Sequence, residues 1–321
     1  MQSEMDEKVT DRIGRSVLVA FRKASSTILF LLKIMIPTSF AVAALGWSGA
    51  LQVISGVLSP LMRLIGLPGQ AALVFLSGAL LNNYSAIAVM GTLPLSLRDA
   101  TILAAMCLIC HNLLVETTVM KSAGSSAVKM VLLRIGTALF AAFLLNLVLP
   151  QGMSATVYSQ GLPAGRAGLG AMLGSWALST LRLVGTVVLY VVAIMLVQSI
   201  FEEFGVMKYL SRALAPFMKV LGLSPDVSFL WIVINIVGYA YGAGIIKSEY
   251  TEGKLTREEG DLFNHHAAIC HSLMEDTILY SALGIGVGWL IVPRFLLAMA
   301  SVWTERLRRR IARKSVKADV A

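Results

Sequence analysis

Long apolar segments recur along the chain and predict helices that cross a membrane. A helix needs about 20 largely apolar residues to cross roughly 30 Å of hydrocarbon. Six segments have this length and character: 27–46, 100–120, 125–149, 176–200, 262–283 and 285–303. The pattern therefore predicts an all-α membrane protein that crosses the bilayer several times.

Two further apolar segments contain polar residues and glycines near their middle. Segment 71–92 is interrupted at Gly78, Asn82 and Asn83. Segment 227–246 is interrupted by Asn235 and by three glycines, Gly238, Gly242 and Gly244. Because glycine lets a helix unwind, we expect broken or re-entrant helices in both segments.

Two shorter stretches, 48–66 and 203–222, precede these interrupted segments. Their apolar residues recur at helical spacing around a few charges. This pattern predicts amphipathic helices that lie in the membrane interface.

The two halves of the chain repeat one pattern. Leu58–Leu67 matches Leu214–Leu223 at an offset of 156 residues, and Ile109–Leu113 matches Ile269–Leu273 at an offset of 160. At the second offset, further polar residues fall on their counterparts: Glu116 on Asp276, Thr117 on Thr277, and Arg134 on Arg294. We interpret this register as an internal repeat.

The repeat divides the chain into five parts. They are an N-terminal tail (1–25), a first repeat (26–149), a linker (150–173), a second repeat (174–303) and a basic C-terminal tail (304–321). Full crossing by the interrupted segments gives parallel repeats, whereas re-entry gives inverted ones. Re-entry collects most lysines and arginines on one side, as the positive-inside rule requires, so the sequence favours inverted repeats with both tails in the cytoplasm.

Composition supports the membrane class and excludes others. Of 321 residues, 57% are apolar and only 14% are charged, which is atypical of a soluble domain. The net charge of +9 is concentrated in the tails, so it indicates membrane orientation rather than nucleic-acid binding. No phosphate loop, nucleophile elbow or dinucleotide fingerprint occurs, and we expect neither an enzyme nor a cofactor.

Ionisable residues inside predicted spans are the candidate functional groups. On a continuous helix over 262–283, Asn264, His271 and Glu275 would share one face. A second face would carry His265, Ser272 and Asp276, and a third His266, Cys270 and Thr277. Polar groups on every face predict a central helix, surrounded by protein or water.

We expect the polar residues of both halves to converge on one substrate site. Its predicted members are His111, Asn112, Glu116, His271, Glu275 and Asp276, with Asn82, Asn83 and Asn235 as hydrogen-bonding partners. Arg134 and Arg294 are the expected counter-charges. The alternative is structural: the arginines only neutralise Glu116 and Asp276, and the histidines satisfy unwound backbone.

The cysteines allow a metal site as an alternative interpretation. Cys107 and Cys110 form a Cys-x-x-Cys pair inside an apolar segment, and buried free cysteines often serve only as small apolar groups. Candidate ligands are Cys110, Cys270 and His266. A divalent-metal permease would combine Cys110, His111, Cys270, His271 and Glu275.

The duplicated pattern, with an interrupted segment followed by the motif Asn264–Thr277, resembles the Gate-domain ("nucleoside recognition") membrane proteins. That group includes the spore maturation proteins A and B, and its module is similar to parts of concentrative nucleoside transporters and of the ferrous-iron transporter FeoB. The first half departs from the motif, because Ala104, Ala105 and Met106 stand at the positions of Asn264, His265 and His266. The resemblance implies an integral membrane protein of solute transport.

Together these observations predict a transporter or permease in a bacterial cytoplasmic membrane. Its expected partners are the lipid bilayer and a small polar solute or ion, nucleoside-like in the first instance, bound between the repeats. Assembly as a homo-oligomer, or with a partner membrane protein, is also compatible with the sequence. The alternatives are a divalent-metal permease and a membrane scaffold or sensor that transports nothing.

Overall fold

The computed structural model describes residues 2–153, 155–157, 168–239 and 255–318. These residues form thirteen α-helices and two short paired strands. The helices are α1 Gln2–Trp47, α2 Ala50–Arg63, α3 Ala71–Leu80, α4 Asn83–Met90, α5 Leu97–Ile109, α6 Leu113–Ser122, α7 Ala127–Val148, α8 Leu169–Glu203, α9 Val206–Met218, α10 Ser228–Ile236, α11 Arg257–Ala267, α12 Glu275–Ser281 and α13 Val287–Ala318. Strands β1 (Leu95–Ser96) and β2 (Thr156–Val157) pair antiparallel.

Within the described residues, four helical segments are long and apolar enough to cross a membrane, which confirms the all-α membrane class. They are Leu97–Ser122, Ala127–Val148, Leu169–Glu203 and Val287–Arg313. They contain or closely match the predicted spans 100–120, 125–149, 176–200 and 285–303. The predicted span 27–46 lies within the long helix α1.

The prediction of one continuous helix over 262–283 is wrong. Helix α11 ends at Ala267, and α12 begins only at Glu275. Ser272 between them has a left-handed backbone with φ of 50°. The N–H groups of Ser272 and Met274 bond to carbonyls of α10 instead of continuing the helix. Long-range backbone bonds therefore replace the local helical ones.

The predicted interruption of segment 71–92 is confirmed. Helix α3 ends at Leu80, and α4 begins at Asn83 after the extended residue Asn82. The Asn82 side chain accepts a hydrogen bond from the Ser85 N–H, so it caps the new helix. In the other segment α10 ends at Ile236, and Gly238 has a φ of 105°. Gly242 and Gly244 lie outside the described residues.

Helix α2 carries an exposed apolar face. Val53, Val57 and Leu61, with Leu64 directly after the helix, are each more than half exposed and recur at helical spacing. A face of this kind suits contact with lipid acyl chains or headgroup boundaries. The interfacial position of α2 and α9 stays a prediction.

Helix α5 lies at the centre of the fold. Every residue from Ala100 to Ile109 is buried. Around it pack α3, α4, α7 and α13, while α1 runs along α8. The break after α5 therefore falls inside the protein, and its polar groups need partners there.

Candidate functional site

Helices break at corresponding points in the two halves. Between α5 and α6, Asn112 has a φ of 46°, and its N–H donates to the carbonyl of Gly78 at 2.9 Å. Between α11 and α12, Ser272 donates in the same way to Ile234, also at 2.9 Å. The two donors, Asn112 and Ser272, are 160 positions apart, and the two acceptors, Gly78 and Ile234, are 156 positions apart. These are the two offsets of the sequence repeat. A backbone hydrogen bond thus joins each break to the C-terminal part of a neighbouring short helix.

A buried arginine caps each break. Arg134 Nε donates to the carbonyl of Ile109 at 3.0 Å, and its Nη2 donates to the carbonyl of His111 at 2.6 Å. Arg294 makes the same two contacts 160 positions later, with Ile269 and His271, at 3.4 and 2.5 Å. Carbonyls freed where a helix ends need donors, and both guanidinium groups supply them without any solvent exposure.

The two caps bring His111 and His271 together. Their Nε2 atoms are 3.3 Å apart, and their ring centroids 4.9 Å apart. Glu116 Oε1 lies 3.1 Å from His111 Nε2 and 3.4 Å from His271 Nε2. We call these three residues, His111, His271 and Glu116, the histidine centre. It is built from both halves and is almost fully buried.

The carboxylates around the centre have different partners. Glu116 Oε2 pairs with Arg134 at 2.8 Å, as the counter-charge prediction requires. Asp276 Oδ2 lies 3.5 Å from His111 Nε2. The predicted pairing of Asp276 with Arg294 is wrong, because no ion pair within 4.0 Å joins them in the described part of the chain. Arg294 Nε and Nη2 donate to backbone carbonyls instead.

Two tyrosines join the halves beside the centre. Tyr84 on α4 donates to Glu275 Oε1 at 2.7 Å, and Tyr280 on α12 donates to Asn83 Oδ1 at 3.2 Å. Asn83 and Glu275 belong to the predicted site, whereas Tyr280 was not predicted. Tyr84 directly follows the predicted Asn82-Asn83 pair.

The other predicted hydrogen-bonding residues serve the backbone. Asn82 caps α4, and Asn112 occupies the left-handed position at the start of α6. Asn235 donates from its side-chain Nδ2 to the Trp231 carbonyl at 2.8 Å. The backbone carbonyl of Asn235 accepts a hydrogen bond from the Met274 N–H at 3.1 Å. Asn112 and Asn235 thus support the two breaks that carry the histidines, whereas Asn82 lies at the break between α3 and α4.

The predicted polar faces of a continuous helix do not form. Asn264 bonds to Met120 and Ser125 of the first half and to Tyr239. His266 packs edge-on against Trp231 and Phe295. Because the helix is broken between Ala267 and Glu275, the spacing of these residues does not predict which of them share a face.

Ligand geometry points to histidine and carboxylate rather than cysteine. Among the described residues, two groups of side chains lie close enough to share a metal ion: the histidine centre, and Asp261 with His265 and Glu305. Cys110, Cys270 and His266, the metal candidates from the sequence, belong to neither group. All three cysteines are free and buried.

The second group is an ion-pair network that the sequence analysis missed. Arg309 contacts both Asp261 and Glu305, and Lys129 Nζ lies 3.0 Å from Glu305. These cations already neutralise the carboxylates, which argues for a structural role. The network joins α7, α11 and α13, and no short motif in the sequence reveals it.

Comparison with known proteins agrees with the fold. The chain matches the family model Gate, described as nucleoside recognition, over residues 28–126 and 184–299. It is 30% identical over 283 residues to the uncharacterized membrane protein YvoD of Bacillus subtilis (strain 168), covering 85% of this chain and 90% of that protein. No solved structure matches it. The family model covers more than half of the chain, and the chain therefore belongs to the Gate (nucleoside recognition) family of membrane proteins.

Proposed function

We propose that the chain is a permease of a bacterial cytoplasmic membrane, and not an enzyme, that moves a small polar solute through a site at the histidine centre. One observation carries the proposal: the two halves jointly build a buried group of histidines and carboxylates where their helices are broken. Ionisable groups at membrane depth are costly and commonly mark a substrate or ion pathway. Discontinuous helices at the interface of two repeats commonly form the solute site in secondary transporters.

Inverted repeats suit this proposal. The breaks at Asn112 and Ser272, their backbone bonds, and the arginine caps recur at the offsets of the sequence repeat. Two-fold related halves can rock about a shared centre and open it to each side in turn. The clustering of basic residues on one predicted side supports inversion and cytoplasmic tails.

Buried polar atoms around the breaks support a polar solute. Several have no hydrogen-bond partner among the described residues: Asn83 Nδ2, Thr117 Oγ1, Asn235 Oδ1 and Thr277 Oγ1. Leaving a polar group buried and unpaired costs about 1–3 kcal/mol. A solute with hydroxyl, amide or ring-nitrogen groups can offset this cost, and a nucleoside carries all of these.

The contact between Tyr84 and Glu275 is the contact that we propose to couple solute binding to the relative movement of the two halves. It spans the two halves at 2.7 Å, so relative movement of the halves must break it. Replacing the carboxylate by an amide keeps the shape but removes the charge. Glu275→Gln is therefore a sharper test of coupling than truncation.

The test is uptake into proteoliposomes. Wild-type protein, His271→Ala, Glu275→Gln and the surface control Glu258→Gln are reconstituted and offered a panel of radiolabelled nucleosides and other small polar solutes. We expect uptake by wild type and by Glu258→Gln, and the level of empty liposomes for His271→Ala. Equal uptake of a true solute by wild type, His271→Ala and Glu275→Gln contradicts the proposal.

The scaffold or sensor alternative makes a different prediction. It expects substitutions at the histidine centre to lower the unfolding temperature while no solute in the panel accumulates above the empty-liposome level. Measuring unfolding and uptake on the same preparations separates the two alternatives.

A further inference from the structure

The hydrogen bonds of the two histidine rings fix where their protons lie. His111 Nδ1 is 3.0 Å from the Cys107 carbonyl, and His271 Nδ1 is 2.6 Å from the Ala267 carbonyl. A carbonyl oxygen only accepts, so both Nδ1 atoms carry the hydrogen and donate it. In a neutral imidazole the other nitrogen, Nε2, then presents a lone pair. Both lone pairs are directed into the histidine centre.

Three acceptor atoms therefore face one another there. They are the two Nε2 atoms and Glu116 Oε1, separated by 3.1, 3.3 and 3.4 Å. No donor from the described residues lies between them, so these atoms repel. A single added proton bridges one of the three contacts and leaves the other two opposed. A cation at the middle satisfies all three at once.

The triangle has the dimensions of a metal site. Ligand atoms at about 2.0–2.1 Å from a tetrahedral Zn²⁺ lie about 3.3–3.4 Å from one another. The three observed separations agree with one face of such a tetrahedron, and the fourth position stays open for water or another ligand. Sites that act on a bound molecule typically keep such an open position.

The surroundings also match those of metal ligands. Metal-binding histidines usually donate their second ring nitrogen to a carbonyl or carboxylate, and ligating carboxylates are themselves hydrogen-bonded or paired. Both histidines do the former, and Glu116 Oε2 pairs with Arg134 at 2.8 Å. Asp276 Oδ2 is buried, has no hydrogen-bond partner among the described residues, and lies 3.5 Å from His111 Nε2. It adds a second negative charge beside the triangle.

We propose that His111, His271 and Glu116 bind a divalent transition-metal ion of the Zn²⁺ or Co²⁺ class. The inference rests on the proposed function for the choice of this centre as the ligand site. Imidazole and carboxylate ligands suit these ions, whereas Mg²⁺ and Ca²⁺ prefer an all-oxygen set. The cysteines take no part.

Equilibrium metal binding tests this without any flux. Protein purified in detergent is stripped with chelator and dialysed against Zn²⁺, and bound zinc is measured by mass spectrometry. The same samples are loaded with Co²⁺, whose visible absorption reports tetrahedral coordination. We expect about one ion per chain for wild type, with binding at least tenfold weaker for His271→Gln and Glu116→Gln.

Two controls address the other candidate ligands. Cys110→Ser/Cys270→Ser removes the cysteines, and His265→Gln removes a member of the Asp261 network. We expect both to bind zinc as wild type does. Loss of zinc from the cysteine variant alone, equal binding by all variants, or no stoichiometric zinc in wild type overturns the inference.

A measurement on the wild-type protein tests the inference even where a variant fails to fold. A ligand that binds only the folded state raises its unfolding temperature. We expect Zn²⁺ to raise that of the stripped wild-type protein and Mg²⁺ to leave it unchanged; equal effects of both ions overturn the inference. Solute uptake by protein that binds no metal overturns the inference but leaves the proposed function standing. Metal binding without uptake of any solute supports the inference and contradicts the proposed function.

Discussion

His111 and His271 are 160 positions apart in the chain, and their Nε2 atoms lie 3.3 Å apart. Each histidine stands at a helix break, and each break is capped by an arginine from the second helix that follows it, α7 or α13. The contact therefore depends on two similar local structures that meet face to face.

Removing the arginine caps will destabilise the protein. In Arg294→Met, the carbonyls of Ile269 and His271 lose their donor, and each unsatisfied buried carbonyl costs about 1–3 kcal/mol. We expect a fall of several degrees in the unfolding temperature, measured by fluorimetry in detergent. Arg310→Met, on an exposed position of the same helix, is the control and should unfold as wild type does.

Arg134→Met will destabilise the protein more than Arg294→Met. Arg134 caps its break and also neutralises Glu116 at 2.8 Å, whereas the described residues give Arg294 no carboxylate within 4.0 Å. An uncompensated buried charge costs about 3–5 kcal/mol. An unfolding temperature for Arg134→Met equal to or above that of Arg294→Met contradicts this account of the two caps.

The left-handed backbone at Ser272 predicts an unusual order of stabilities. A residue with a Cβ atom loses roughly 1–2 kcal/mol in this conformation, and glycine does not. We expect Ser272→Gly to be more stable than Ser272→Ala, although glycine normally weakens folded structure. Ser272→Ala serves as the matched control because both variants lack the hydroxyl. Alanine equal to or more stable than glycine shows that the break is not strained.

The network of Asp261, Glu305 and Arg309 will contribute measurably to stability. Arg309 contacts both carboxylates and is only 18% exposed, whereas Arg308 contacts Glu305 alone and is 62% exposed. Exposed ion pairs are worth little, and partly buried ones more. We therefore expect Arg309→Gln to lower the unfolding temperature more than Arg308→Gln. Equal effects contradict the assigned role of Arg309.

The pair of Glu258 and Arg313 predicts a pH dependence. The guanidinium lies 2.5 Å from the carboxylate and holds the pKa of Glu258 below its usual range. A carboxyl with a lowered pKa in the folded state stabilises above its ordinary pKa, and this contribution is lost as the pH falls through the folded value. We expect Glu258→Gln to unfold slightly below wild type at about pH 7 and equally at about pH 3. A difference that grows on acidification contradicts this.

The sequence predicted the interruption of segment 71–92 but not the breaks after Ile109 and after Ala267. Segment 71–92 carries Gly78 and paired asparagines, so its interruption was visible. The stretch from Ala267 to Ser272 contains neither glycine nor proline. Its break is stabilised by Ile234 and Arg294, which are distant in the chain. The helix propensities of residues in this stretch do not depend on such distant contacts, so they could not predict the break.

The same limit applies to the faces of the motif. Equal spacing on a continuous helix grouped His271 with Asn264 and Glu275, but the helix is broken between Ala267 and Glu275. The repeat register was the better guide, because it aligned His111 with His271 and Arg134 with Arg294. Pairing across the halves follows from that register once the two breaks meet.

The most direct test of the central claim is solute uptake by the single and double histidine variants. If His111 and His271 form one site, each of His111→Ala and His271→Ala removes uptake, and the double variant loses no more than either single one. Residues that act as a unit give such non-additive effects. Substantial uptake by either single variant, or losses that add in the double variant, contradicts a shared centre.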